Sequence, residues 1–332
     1  MTRTAATLLW LLSTAAFAQD QVRRAGDSMN GPSLNGPAME GPDLAASTFA
    51  GGATGITSSG QAIQGVETWG GGLRALDGNG APIATGMELA GATLQGMAAD
   101  GSWLTLHIDG VVPASNAEDA DVLFHQVSRF ACAWVPDGFG GQVFQCGWRP
   151  LCGTDPAGAP IASVPLQGQW TYRMEVIGAT YDWAPAGITF ACQGHALEKC
   201  AVPLRYRPWW AGMGDLHRAC VRMLRADYCA KGSRTQAGTW VHASDDIGIN
   251  PWPESGSEHA WKLEATWGPD GAKCLSADRR HDLQGIPTYS ACTELVYNTP
   301  PCPAGGALVN GAVMRNFCAE DPTTPGQCAP PL

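Results

Sequence analysis

Twelve cysteines, all falling between Cys132 and Cys328, constrain this 332-residue chain more than any other feature. An even set in a chain bound for an oxidising compartment is expected to form disulfides rather than serve as thiol nucleophiles or metal ligands. Cys132, Cys146, Cys152, Cys192, Cys200, Cys220, Cys229, Cys274, Cys292, Cys302, Cys318 and Cys328 are accordingly read as disulfide partners, and no metal or cofactor is expected. Twelve cysteines allow roughly ten thousand pairings, but one pair has a local argument. Cys132-Ala-Trp134 and Phe144-Gln-Cys146 flank the turn-rich stretch Pro136-Asp137-Gly138-Phe139-Gly140-Gly141. A hairpin about Phe139 sets Cys132 opposite Cys146 and Trp134 opposite Phe144 on one face. Cys152 is the competing partner.

The compartment is expected from the first residues. Arg3 is a short positive region, Ala5 to Leu12 is apolar, and Ala16-Phe17-Ala18 is a small-residue cleavage site. This is the pattern of a secretory signal peptide cut after Ala18. The apolar run falls short of the ~20 residues a membrane span requires, no later stretch supplies them, and no lipobox cysteine lies near the cut. A secreted or periplasmic chain is expected. Its formal charge of −10, without a basic cluster, repels phosphate backbones and excludes a nucleic-acid partner.

Residues 19–65 are rich in Gly, Pro, Ser and Ala and are expected to be a flexible spacer, because they offer little to bury. Glycines then recur every five residues, at Gly86, Gly91, Gly96 and Gly101, so residues 66–101 are read as a short five-residue-repeat segment. This is either a short capping coil or an ordinary strand pair, since so few units cannot stack into a solenoid. Residues 102–185 have strand-like patterns separated by turns and are read as a β-rich sandwich or barrel-like module, in which His107 and His125 are ordinary sheet residues. A helix is expected from about 215 to 230, with Gly214-Asp215 as its start and Lys231-Gly232 as its stop. Leu216, Cys220, Met223, Leu224 and Asp227 share one face, with Arg218, Arg222 and Arg225 elsewhere. The expected fold is α+β and β-dominated, disulfide-rich, with this one main helix packed on short antiparallel strands. Residues 298–332 form a Cys/Pro-rich tail.

Phe190-Ala-Cys192, Lys199-Cys200, Tyr206 with Pro208-Trp209, His217-x-x-Cys220 and Met223-Leu-Arg-Ala-Asp-Tyr-Cys229 together resemble the bacterial ADYC domain family. Asp246-x-Gly248-Ile249, Glu264-Ala265-x-Trp267-Gly268-Pro269 and Gly271-Ala-x-Cys274 extend the likeness, which runs from about Phe190 to Cys274 within a domain placed at 186–297. The resemblance implies export, glycine- and leucine-containing repeats upstream, and no assigned activity.

Two readings of function follow. A hydrolase needs an acid and a base close together, and His217, Asp227 and Asp246 are the candidates for a secreted hydrolase acting on cell-surface material. His242, Asp245 and Glu264 are further titratable groups nearby. The other reading starts from thirteen tryptophans, since exposed aromatic faces stack on sugars and clamp partners. Trp209, Trp210 and Trp240 are its candidate binding residues, with one ring of the adjacent pair turned into the core and the other outward. The preferred expectation is a non-catalytic envelope or extracellular binding protein, its partner a polysaccharide or another envelope protein.

Overall fold

The structure, a computed structural model, describes residues 27–29, 48–98, 101–175, 178–228, 240–254, 260–277, 279 and 298–319. The expected signal peptide at 1–18, Cys229, Lys231-Gly232, Cys292 and Cys328 lie outside the described residues.

In chain order the strands are β1 Asp27–Met29, β2 Thr48–Ile56, β3 Ala62–Ile63, β4 Gly65–Trp69, β5 Gly72–Leu76, β6 Pro82–Thr85, β7 Thr93–Ala98 and β8 Trp103–Pro113. They continue with β9 Leu123–Pro136, β10 Gln142–Pro150, β11 Ser163–Glu175 and β12 Gly178–Cys192. Two helices follow, α1 Ala196–Ala201 and α2 Gly214–Leu224, then β13 Trp240–Asp245, β14 Trp261–Gly268, β15 Gly271–Leu275 and β16 Met314–Ala319. Among the described residues no helix is long and apolar enough to cross a membrane.

Strands β9, β11, β12, β2, β7 and β8 pair in that order, and β8 pairs back to β9, so the sheet closes into a six-stranded barrel. Closure removes the exposed edges that an open sheet would leave. Its weakest seam is the single rung Ser163↔His125, where Ser163 Oγ donates to the His125 carbonyl at 3.2 Å. Phe49, Leu94, Leu104, Leu106, Ile108, Val127, Ile188 and Phe190 fill one core, into which Leu73, Ala75 and Ala84 of the β4–β5–β6 sheet also pack.

A second antiparallel sheet runs β1-β13-β16-β14-β15. The second core unites Val241, Ala243, Ala265, Trp267 and Met314 of this sheet with residues of α1 and α2 and with Val164, Leu166, Trp170 and Ala191 of β11 and β12. Strand alternation makes this possible. Val164 and Ala191 are paired and turn toward the helices, whereas the next rung, Pro165↔Phe190, turns Phe190 into the barrel. The register shifts at Gly168, and Thr189 Oγ1 both donates to the Gly168 carbonyl at 2.9 Å and accepts from the Trp170 amide at 3.1 Å.

Hairpin turns share one chemistry. Asp77, Asp137 and Asp155 each accept the backbone amides two and four residues on, at 2.8–2.9 Å. The residue three positions after each is Gly80, Gly140 or Gly158, at φ of 79°, 91° and 84°. An aspartate closes the turn from its side chain, and glycine alone takes the left-handed position without strain.

Several expectations need correction. The spacer ends before residue 65, because β2 begins at Thr48 and Phe49 is fully buried edge-on to Phe190. The five-residue glycine period makes no coil: it yields a short 3-10 turn at Gly86–Leu89 and the antiparallel pair β7–β8. No boundary falls at 101/102 or 185/186, since β7 pairs across the first and β12 runs through the second. The helix stops at Leu224 rather than near 230. Ala226 takes φ 49°, its amide bonds the Met223 carbonyl, and the Asp227 amide bonds the Arg222 carbonyl at 2.8 Å, which together form a Schellman stop. Met213 rather than Gly214-Asp215 is the N-cap, and Arg222 and Arg225, off the apolar face, are also buried.

One element leaves the body of the molecule. The first half of β9 belongs to the barrel, but from Phe130 onward β9 pairs only with β10, so 130–148 project as a two-stranded ribbon. Cys132 and Cys146 face each other across it and are bonded, with Phe144 opposite Trp134, as the hairpin argument anticipates. An isolated two-stranded hairpin is marginal in water, so the crosslink is what holds this register. We expect Cys132→Ser with Cys146→Ser to abolish slow amide exchange across 130–146 while shifting the global melting temperature little. Retained protection in the ribbon would show that the strands hold without the bond.

Candidate functional site

The ribbon is built inside out. Continuing the barrel's alternation, the odd positions of β9 face inward and the even ones outward. The inward side carries Ala131, Ala133, Gln145, Gly147, the pair Val135↔Val143 and the pair Arg129↔Arg149. The outward side carries Phe130, Cys132, Trp134, Phe144, Cys146 and Trp148, and its aromatics are between 48% and 64% exposed. Phe130 meets Trp148 edge-on at 5.6 Å, and Trp134 meets Phe144 at 5.4 Å, with the disulfide as the rung between them. Phe139 at the tip is 97% exposed. Burying such rings is worth roughly 1.5–3 kcal/mol each, so a row of them left in water marks an interaction surface.

At the foot of the row the surface turns polar. The β8–β9 register shifts between Ile108 and Gly110, and Asp109, two positions after His107, shares its face of the strand. Asp109 Oδ1 lies 2.9 Å from His107 Nδ1, and Oδ2 accepts from Ser128 Oγ at 2.6 Å. His107 in turn lies 5.6 Å from the Trp148 ring. His107, a half-buried sheet residue of β8, thus joins Asp109 and Ser128 at the foot of the row.

The hydrolase candidates do not assemble. His217 is buried on α2, its Nε2 3.0 Å from the Leu197 carbonyl and its ring edge-on to Trp170 at 5.6 Å. Burial pushes its pKa down to about 4. Asp227 is fully buried and paired with Arg222 at 2.6 Å. Asp246 is an exposed carboxylate held by the buried Arg315. His242 bonds the Pro251 carbonyl at 2.9 Å. Asp245 accepts from Tyr206 at 2.9 Å and from the amides of Ile247, Ile249 and Asn250. Glu264 accepts from Tyr228 and, at 2.7 Å, from Asn316. Each group has its own structural partner.

Of the tryptophan pair, Trp209 is half-buried against the core of the helical layer and Trp210 is exposed. They sit on two successive turns over residues 207–213 rather than on an extended segment. Both indole nitrogens donate to one oxygen of Asp121, at 2.8 Å from Trp209 and 3.0 Å from Trp210. Arg207 pairs with Asp119 and Asp121 and stacks on Trp210 at 4.6 Å. This clamp ties the β8–β9 loop to the helical layer. Trp240 is half-buried at the start of β13.

Cys200–Cys220 joins α1 to α2, Cys152–Cys192 joins the segment after β10 to the end of β12, and Cys274–Cys302 ties β15 to the C-terminal segment. Cys318 is also disulfide-bonded. Arg222 and Asp227, buried together after the helix stop, are followed by Tyr228, which stacks on Trp267 at 5.0 Å.

A disulfide-crosslinked barrel backed by a helical layer and a second sheet, with an aromatic ribbon on its outer face, is the class of protein this geometry defines. The ADYC domain family model matches residues 86–281, more than half of the chain, and the chain belongs to that family. The match begins about a hundred residues before Phe190, so it takes in strands β7 to β12 and the ribbon as well as the expected region. No curated protein and no solved structure is similar enough to match. The Ala226-Asp227-Tyr228-Cys229 signature thus has architectural work at its described positions: Ala226 ends the helix, Asp227 neutralises Arg222, and Tyr228 packs on β14.

Asp227→Ala removes the buried carboxylate that faces Arg222 and should cost about 3–5 kcal/mol in urea unfolding; an unchanged midpoint would remove the pair from this role. His125 and His217 both titrate at about 4, lowered chiefly by burial. With folded pKa values below the unfolded ~6.5, their stabilisation is complete above about pH 6.5 and declines as pH falls toward 4, where the unfolded chain takes up protons first. The melting temperature should drop between pH 7 and 4.5, and His217→Gln should flatten that drop relative to its own value at pH 7.

Proposed function

We propose that this is an exported, non-catalytic binding protein of the cell envelope or extracellular space, and that the β9–β10 ribbon is its contact element. The observation that carries the reading is the inverted ribbon, which exposes Phe130, Trp134, Phe144 and Trp148 on one crosslinked face. Export is supported by the signal-like residues 1–18 and by the disulfides, which persist in oxidising compartments. The partner is a polysaccharide or a protein of the cell surface. The hydrolase alternative draws no support from His217, Asp227 and Asp246, whose side chains are engaged in separate places.

Trp134→Ser with Phe144→Ser removes the outer ring pair where no core depends on it. Co-sedimentation of the mature chain with purified cell walls and envelopes of the producing organism should fall at least tenfold in this variant, with disulfides and melting temperature retained. Binding equal to that of the unaltered protein would overturn the reading.

A further inference from the structure

We infer that the outer face of the ribbon, together with His107, Asp109 and Ser128 at its foot, is a binding cleft-free platform for a neutral glycan chain of pyranose rings. The inference rests on the reading of the ribbon as a contact element and adds the chemistry of its partner. A pyranose presents an apolar C–H face and a rim of hydroxyls, and this surface presents the complement of both. Phe130, Trp148, Trp134 and Phe144 are about half exposed, so they offer apolar ring surface to the C–H face of a sugar.

The polar end supplies orientation. Ser128 and His107 occupy one site on each oxygen of Asp109, and a carboxylate has about four acceptor sites, which leaves room for two sugar hydroxyls. Because Ser128 is buried and its hydroxyl already points at Asp109, the carboxylate is held in place before any ligand arrives. Charge selects the glycan. The outward positions from 128 to 134 and from 144 to 150 hold no Lys or Arg, Arg129 and Arg149 lie on the opposite face, and the chain carries −10 overall. A uronate or phosphate polymer finds repulsion here, and a neutral chain does not.

The spacing also sets a minimum length. The two ring pairs lie four residues apart along each strand, about 13 Å at a rise near 3.4 Å per residue. A disaccharide meets one pair and a hexasaccharide bridges both.

Titration calorimetry of the mature, oxidised protein with cellohexaose, xylohexaose, mannohexaose and chitohexaose tests this, with polygalacturonate as the anionic probe. At least one neutral hexasaccharide should bind, ten-fold or more tighter than its own disaccharide, and polygalacturonate should not compete. Trp134→Ser with Phe144→Ser should remove the length dependence, and Asp109→Asn should weaken binding several-fold while leaving the melting temperature unchanged. Failure of every neutral glycan, or binding indifferent to these substitutions, overturns the glycan assignment. If the glycans fail while the ring substitutions still abolish attachment to envelopes, the ribbon remains the contact element and its partner is a protein. If the ring substitutions affect neither, both readings fall.

Discussion

The end of strand β12, Ile188 to Ala191, is buried on both faces, and the two halves of the molecule are joined through that fact. Phe190 and Ile188 enter the barrel while Ala191 and Thr189 turn toward the helical side, so neither core can form fully without the strand that completes the other. The disulfide Cys152–Cys192 holds the end of the same strand, and α1 begins four residues later. From there Cys200–Cys220 fixes α1 against α2, and the Arg207 clamp onto Asp119 and Asp121 closes the barrel loop over this junction. Crosslinks and buried ion pairs therefore concentrate where two cores share a wall.

Such a junction explains why the polar residues of the signature region are buried. A buried arginine is costly unless paired, and Arg222 and Arg207 have carboxylates at hand. Asp227 can reach Arg222 because the left-handed Ala226 ends the helix and folds the chain back over its last turn. The same geometry that makes Asp227 a good structural partner removes it from any role in proton transfer. His217 is likewise consumed by a backbone carbonyl and an aromatic edge.

Much of the fold was legible because it rests on local rules. The β-dominated class, the Cys132–Cys146 pairing and its Trp134/Phe144 neighbours follow from strand period and turn chemistry, and each turn aspartate is followed three positions on by a glycine. Barrel closure was not legible, because it depends on the single rung Ser163↔His125 and on long-range pairing of β12 with β2. Nor was the early helix stop, since alanine in a left-handed conformation leaves no sign in a chain that offers Gly232 a few residues on. The candidate site was half legible. The hairpin argument put Trp134 and Phe144 on one face but could not say which face met water; the strand period puts Asp109 on the face of His107, but their neighbour Ser128 comes from the next strand.

Which face met water is the decisive point. An ordinary β-ribbon on a barrel turns its apolar side down and its small or polar side out. Here Ala131, Ala133, Gly147 and the smaller apolar pair Val135↔Val143 face inward, and four large rings face outward. Exchanging the faces would require only a one-residue change of register, and the Cys132–Cys146 bond forbids it. A chain that crosslinks its register so as to keep aromatics in water is holding them ready for a partner. The paired rings limit one another's freedom at each rung, so ordering them on binding costs less than ordering isolated side chains would.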